Sequence, residues 1–299
     1  MCGIVGLFCK TPDLEPQLGT LLAGMLGTMR DRGPDSAGFA VYGAQDGLQV
    51  KLTVRGPVGT DFAALSPLLS QELLSDVGLI VRDTHAVLSV DAGHEIALRA
   101  ALARLAPEID IVGVGKRMEL YKEVGLPADV ARRFDLAGMS GSHGIGHTRM
   151  ATESAVTTDG AHPYTTGRDQ CLVHNGSLSN HNSLRRMLVR EGLGFETEND
   201  TEVAAGYLSW RMREGDTLTG ALESCLKDLD GFYTFVVGTE TGFAVLRDPV
   251  SCKPAIMAET ADWVAFGSEY RALVNLPGID GARVWEPEPA RVYAWERAA

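Results

Sequence analysis

Three residues into the chain an uncharged apolar run begins, Ile4-Val5-Gly6-Leu7-Phe8. Such a run reads as a buried strand, and a buried strand holds whatever precedes it still. What precedes it is Met1-Cys2-Gly3. Removal of Met1 is sterically easy before a side chain as small as that of Cys2, and it would put a thiol and a free α-amino group on one residue. A terminal amine titrates near pH 8, about where it can serve as a base. A nucleophile with a base alongside is the minimal apparatus for attack on a carbonyl. Gly3 and Gly6 let the backbone lie close to whatever binds there. On these residues alone a second reading stands beside this one, that Met-Cys-Gly merely opens an edge strand.

Behind that strand, Gln17 to Arg30 carries Leu18, Leu21, Leu22, Met25, Leu26 and Met29 at three- and four-residue steps, the pattern of a helix with one buried face. Gly33-Pro34 ends it in a turn. Ala37 to Tyr42 and Leu48 to Val54 read as two strands of a hairpin around Gln45-Asp46-Gly47. Residues from about 56 to about 138 read as an insertion or small subdomain, with a strand at Val77 to Val81, helices at Glu95 to Leu105 and Ala128 to Phe134, and a strand at Ile109 to Val114. Its Gly113-Val114-Gly115 lacks the third glycine of a dinucleotide-binding turn. Further on come a strand at Cys171 to His174, helices at Asn180 to Glu191, Thr201 to Arg213 and Leu218 to Lys227, then strands at Phe232 to Val237, Phe243 to Leu246, Val264 to Gly267 and Arg291 to Trp295. Strands at both ends with helices between imply two stacked sheets with helices outside, an α+β layered domain.

Composition excludes several functions. The net charge of −12 argues against nonspecific binding to nucleic acid or to anionic membranes. No apolar run approaches the ~20 residues that span a bilayer, and no secretory leader is legible, so a cytoplasmic location is expected. The five cysteines (Cys2, Cys9, Cys171, Cys225, Cys252) are an odd set without a C-x-x-C pair, which disfavours a disulfide framework or a zinc site. His143 and His147 stand four apart, but the glycines between them oppose the helix that two metal ligands at that spacing would need, so no metal is expected.

Attack by Cys2 on a carbonyl requires donors for the developing oxyanion. Asn175-Gly176 at a strand end offers a side-chain amide and a closely approaching backbone N–H, while the same dipeptide is also the commonest hairpin turn. An amino-acid substrate needs a cation and an anion. Arg149 offers a planar fork for a carboxylate. Asp200 offers the anion, or else an N-cap for the helix that follows it.

Five segments, Cys2-Gly3-Ile4-Val5-Gly6, Arg32-Gly33-Pro34-Asp35-Ser36, Gly146-His147-Thr148-Arg149-Met150-Ala151-Thr152, His174-Asn175-Gly176 and Asn199-Asp200-Thr201-Glu202, occur in the order seen in class II glutamine amidotransferases. The chain resembles the N-terminal-nucleophile glutaminase domain of glutamate synthase, amidophosphoribosyltransferase, asparagine synthetase and glucosamine-6-phosphate synthase. Each segment alone is weak; five in order are specific, and the C-terminal strands suit the same fold. The resemblance implies a four-layer αββα sandwich of the Ntn-hydrolase type over residues 2–299, with an inserted subdomain at about 56–138. It implies Cys2 as nucleophile with its own amine as base, and Asn175 and Gly176 as the oxyanion hole. It further implies Arg149 on the glutamine α-carboxylate, Asp200 on the α-amino group, Arg32 holding the N-terminal segment, and Thr152 and His162 lining the glutamine pocket. Two departures stand out. Met150 occupies a place where the family often has an aromatic residue, and the insertion is longer than in the simplest members.

Three functions compete on this reading. One is a glutaminase subunit forming a γ-glutamyl thioester and releasing ammonia. Another is a stand-alone N-terminal-cysteine amidase for a different small amide, and the third a non-catalytic regulatory or assembly subunit. The pairing of Arg149 with Asp200 favours a free amino acid, hence glutamine. No acceptor-type segment is legible after the glutaminase region, and Met150 to Ser154 together with the insertion resemble stand-alone subunits related to glutamate synthase, including those of N-methylglutamate synthase. That resemblance implies a hetero-oligomer with a synthase subunit carrying FMN, and iron–sulfur clusters as a further possibility, and no cofactor in this chain.

Overall fold

The computed structural model describes residues 2–45, 47–151 and 155–297. Strand β1 (Gly3–Cys9) leads into helix α1 (Leu18–Thr28) and strand β2 (Ser36–Tyr42). Next come β3 (Gln49–Arg55), α2 (Phe62–Leu73), β4 (Gly78–Arg82), β5 (His85–Asp91), α3 (Glu95–Leu105) and β6 (Asp110–Gly115). The chain continues through β7 (Met118–Val124), α4 (Pro127–Arg133), β8 (His143–Arg149), β9 (Tyr164–Gly167) and β10 (Gln170–Leu178). Three helices follow, α5 (His181–Arg190), α6 (Asp200–Arg213) and α7 (Leu218–Asp228). The last strands are β11 (Gly231–Gly238), β12 (Gly242–Arg247), β13 (Ile256–Glu259), β14 (Trp263–Gly267), β15 (Arg283–Trp285) and β16 (Val292–Glu296).

Two antiparallel sheets stack at the centre, one ordered β15-β13-β14-β1-β8-β2-β7 and the other β16-β12-β11-β10-β9. The side-chain period of two sorts β1 between two cores. Ile4 and Phe8 enter the core between the sheets with Val173, Val245 and Phe266, whereas Val5, Leu7 and Cys9 join α1 and Phe134 on the outer side. Helices α5, α6 and α7 cover the other outer face through Leu184, Val203, Tyr207 and Leu222. Three cores separate four layers. The fold is α+β, of the αββα sandwich type.

A third sheet, β4-β5-β3-β6, forms a separate unit whose core joins Val50, Leu52 and Leu88 to Phe62 and Leu69 of α2 and Leu98 and Leu102 of α3. Its strands run from Gln49 to Gly115 rather than over the expected 56–138. β7 and α4, inside that expected range, belong to the sandwich: β7 is an edge strand of the first sheet, and Val130 and Ala131 of α4 enter the outer core beside α1. Likewise β2 and β3 form no hairpin, because they lie in different sheets. A local turn signal reports a reversal of direction, and it carries no information on which strand each arm will pair with.

Asp169 ties the third unit to the second sheet. Its buried carboxylate accepts the backbone N–H groups of Lys116, Arg117 and Met118 at 2.7, 2.9 and 3.0 Å, and its own N–H donates to Val114 O at 2.8 Å. No described helix is long and apolar enough to cross a membrane.

Candidate active site

The beginning of β1 lies where the two central sheets face each other. β1 pairs with β8 so that Gly3 stands opposite Thr148, and β2 pairs with β8 so that Ser36 stands opposite Arg149. Cys2, Arg149 and Ser36 therefore gather at one end of the first sheet. The Cys2 carbonyl is held from two directions. Arg32 Nε donates to it at 2.9 Å, and Asn175 Nδ2, from β10 of the second sheet, donates at 3.2 Å. Arg32 is in turn anchored by Glu269 at 2.7 Å, and the first amide after Gly3, that of Ile4, donates to Ser268 Oγ at 2.9 Å. The start of the chain is thus clamped by residues some 260 positions away.

The turn after α1 braces the end of β8. A Cβ on Gly33 would lie 2.4 Å from the Thr148 carbonyl carbon and 2.6 Å from Arg149 N, so only glycine lets the turn abut that strand. Asp35 N–H donates to Arg149 O at 3.1 Å, and the Asp35 carboxylate accepts Ala151 N–H at 2.8 Å. The Arg149 guanidinium is largely buried and donates to Ala155 O at 3.3 Å. Thr152 lies outside the described residues. Met150 is exposed.

Asn175-Gly176 is not a turn. Both residues sit within β10, paired with Thr234 and Tyr233 of β11. Nor is Asp200 the N-cap of α6. Asn199 caps it, accepting Thr201 N–H at 2.8 Å. Asp200 begins the helix, and its Oδ2 accepts Leu178 N–H at 2.9 Å, which ties α6 to the end of β10 just beyond Gly176. Burial alone would raise the Asp200 carboxyl pKa. The neighbouring His174 ring, 3.7 Å away, and the Leu178 N–H outweigh it and hold the group down to about 2. A carboxylate kept ionised at the N-terminus of a helix is a ready acceptor for an ammonium group.

Behind these groups lie His147 and His174, which sequence reasoning did not assign, and His162, which it placed at the glutamine pocket. His147 Nε2 donates to the His174 carbonyl at 2.9 Å, a bond from β8 to β10 across the two sheets. The His162 ring stacks on His147 with centroids 4.0 Å apart. His174 Nδ1 meets Thr201 Oγ1 at 3.0 Å. These roles have no local signal, because each depends on a partner in another element. His143 and His147 lie on the same face of a strand, ~13 Å apart along it. Among the described residues no group of three histidine, cysteine or acidic side chains could hold a metal ion.

Burial pushes His85, His143 and His147 down to about 3, and His162 lower than its ordinary value as well. The unfolded chain takes up these protons from about pH 6.5 downward and the folded chain refuses them. Stability is therefore whole above pH 6.5 and declines as pH falls toward 3, by roughly 1 kcal/mol per histidine per pH unit. The urea midpoint is expected to drop steadily from pH 7 to pH 5, before most carboxylates titrate. A midpoint flat over that range would mean that the buried rings protonate in place.

A four-layer αββα sandwich with a thiol at the head of a central strand is the fold of the N-terminal-nucleophile hydrolases. Comparison with known proteins sharpens this. Residues 147–275 match the model of a glutamine amidotransferase domain. Over 297 residues, covering 99% of this chain and 98% of the relative, the chain is 61% identical to the glutamine amidotransferase-like protein GlxB of Rhizobium meliloti. Over 119 residues, 40% of this chain and 19% of the relative, it is 40% identical to glutamine–fructose-6-phosphate aminotransferase (isomerizing) of Xylella fastidiosa. Among solved structures, glutamine phosphoribosylpyrophosphate amidotransferase from B. subtilis superposes with a TM-score of 0.63 at 20% identity, over 99% of this chain and 47% of that one, so this chain spans about half its length. The chain belongs to the class II glutamine amidotransferase family.

Proposed function

We propose that this chain hydrolyses glutamine at Cys2 and supplies the ammonia to a partner synthase subunit. The observation that supports the first part is the double grip on the Cys2 carbonyl by Arg32 and Asn175, which holds the backbone of residue 2 against the strand bearing Gly176 and at the end of the sheet bearing Arg149. With Met1 gone, the Cys2 amine takes the thiol proton as sulfur attacks the γ-carboxamide carbon. The oxyanion draws on Asn175 Nδ2 and the Gly176 N–H. Collapse expels ammonia, which carries the proton away, and leaves a γ-glutamyl thioester. Water then releases glutamate and restores the thiol. Arg149 holds the α-carboxylate and Asp200 the α-ammonium, with His162 and Thr152 shaping the pocket.

Arg149→Ala is expected to raise KM for glutamine about ten-fold or more with a smaller effect on kcat, since a charge-assisted contact is worth ~1.5–3 kcal/mol. Asn175→Ala is expected to lower kcat by about two to three orders of magnitude, because its donor is strongest on the oxyanion. Steady-state kinetics with glutamine and with simple amides checks both. A normal kcat in Asn175→Ala removes that residue from the oxyanion hole, and equal turnover of simple amides removes glutamine as the substrate.

Ammonia freed into solvent becomes mostly ammonium, a poor nucleophile, so a glutaminase gains from docking over an acceptor site. The resemblance to subunits of glutamate synthase and N-methylglutamate synthase supports an acceptor subunit that carries FMN, with or without iron–sulfur clusters, since reductive amination needs electrons. Co-expression with genomic neighbours, read by co-purification, flavin absorbance and glutaminase rate, tests this. An unchanged rate and elution volume with every neighbour would favour a stand-alone enzyme.

A further inference from the structure

The segment 155–163, between β8 and β9, carries no helix or strand, and it packs against Arg149. Ala155 O accepts Arg149 Nη1 at 3.3 Å, and a Cβ on Gly160 would lie 3.3 Å from Arg149 Nη1 and 3.7 Å from its Cζ. The backbone of this loop therefore meets the guanidinium at two places. Two bonds of its own shape the loop: Gly160 N–H donates to Thr157 Oγ1 and Ala161 N–H to Thr158 O, each at 3.1 Å.

The other holds come from outside and converge on two adjacent residues. Thr158 Oγ1 donates to Glu123 of β7. Glu123 lies 3.6 Å from Arg133 at the end of α4, and Arg133 binds Asp83, in the turn between β4 and β5, at 2.8 Å. Asp159 O accepts Lys122 Nζ of β7 at 3.1 Å, and the Asp159 carboxylate accepts Arg55 Nη1, at the end of β3, at 2.7 Å. Two ionic lines thus leave the third sheet unit, one directly from Arg55 and one through Asp83, Arg133 and Glu123. Both end on the loop that backs Arg149. Ion pairs that serve only the third unit join its own elements, as Arg55 with Asp110 and Arg104 with Glu72 do. A loop with few bonds of its own takes the position its tethers give it.

We propose that the third sheet unit is a positioning element for the glutamine carboxylate site, and that Arg55 is its positioning residue. Arg55 holds Asp159, and with it the backbone against which the Arg149 guanidinium is set. Thr158 is held in parallel through Glu123. This inference rests on the reading of Arg149 as the ligand of the α-carboxylate.

The test is steady-state glutamine kinetics on the full chain in Arg55→Met, Asp159→Asn, their double variant and Asp110→Asn, paired with amide hydrogen exchange over residues 155–161. Arg55→Met and Asp159→Asn should each raise KM about three- to five-fold, the scale of an ion pair with one exposed partner, and leave kcat within about two-fold. The double variant should be no worse than either single one, because both remove the same contact. Asp110→Asn removes the other partner of Arg55 without touching the loop, and should behave as wild type. Exchange at Gly160 and Ala161 should quicken several-fold in Arg55→Met and Asp159→Asn and stay unchanged in Asp110→Asn. Asp159 lies on the exposed loop, so its variant keeps the test decisive should Arg55→Met fail to fold. Three results would overturn the proposal: KM unchanged in Asp159→Asn; an equal rise in Asp110→Asn, which would trace the effect to the third unit's own stability; and a fall in kcat at constant KM, which would give the loop a part in the chemistry instead. Should the wild type turn over no glutamine, the proposed reaction falls, and unchanged exchange in both Arg55→Met and Asp159→Asn would refute the tether separately.

Discussion

Cys2→Ala is expected to lower glutamine hydrolysis by at least about four orders of magnitude, the scale on which removal of a covalent nucleophile acts. The loss should be chemical rather than structural. The groups that position residue 2 act on its carbonyl, through Arg32 and Asn175, and on the next strand amide through Ser268, and none of these contacts involves the thiol. Thermal unfolding of the variant should therefore stay close to that of the wild type, and glutamine binding to the variant should persist. Retention of Met1 should act nearly as strongly by another route. The Cys2 nitrogen then becomes an amide, without basicity, and the thiol loses the base that takes its proton. Intact-mass measurement paired with activity decides it: full glutaminase activity in a preparation that keeps Met1, or in Cys2→Ala, would overturn the assignment.

Gly176→Ala carries the second large effect. A Cβ there would lie 2.0 Å from Phe232 O, 2.7 Å from Tyr233 Cα and 2.6 Å from His174 Nε2. Two of those atoms are backbone of the paired strand β11 and cannot swing aside. Relief has to come from separation of β10 and β11, which moves the Gly176 N–H, the Asn175 amide and the Leu178 N–H that holds Asp200. A loss of several kcal/mol is the expected scale for a backbone clash in a sheet core, about 5–10 °C in Tm for a chain of this size. kcat should fall by about a hundred-fold or more, as for loss of an oxyanion donor. Gly24→Ala is the control. That glycine lies exposed in α1 with nothing within 4 Å of the added carbon, and alanine there should stabilise by up to about 1 kcal/mol. Comparable Tm values for Gly176→Ala and wild type would show that β10 tolerates the side chain.

Much of the layered fold is legible in the sequence, because burial writes a period into it. Ile4 and Phe8 alternate with Val5 and Leu7, and α1 carries Leu18, Leu22, Met25 and Leu26 on one face, so strand and helix can be read before any partner is known. Helices such as α3 and α7 are legible for the same reason. Other elements are not. β5 and β7 carry side chains whose pattern is blurred by contact with more than one neighbour, and α2 holds Pro67 within it, which breaks the helical signal.

The candidate site divides in the same way. Cys2, Arg149, Asn175, Gly176 and Asp200 can be picked out as candidates by type and order along the chain, because chemistry demands a nucleophile, a donor, a cation and an anion, whereas Arg32 is suggested only by resemblance to the family. The groups that hold them cannot. Ser268 and Glu269 reach Ile4 and Arg32 across the whole length of the chain, and His147 reaches the His174 carbonyl across two sheets. By itself the sequence determined the strands and helices that carry a clear apolar period, and which side chains could do chemistry on a carbonyl. Tertiary structure alone decided that β2 and β3 part into different sheets, that the third sheet begins at Gln49, that Asn175-Gly176 runs straight through a strand, and that Asn199 rather than Asp200 caps α6. The physical reason is that an apolar or polar pattern records whether a residue leaves water, which is a property of that residue, whereas strand pairing, caps and clamps are agreements between two distant residues, and neither member carries the address of the other.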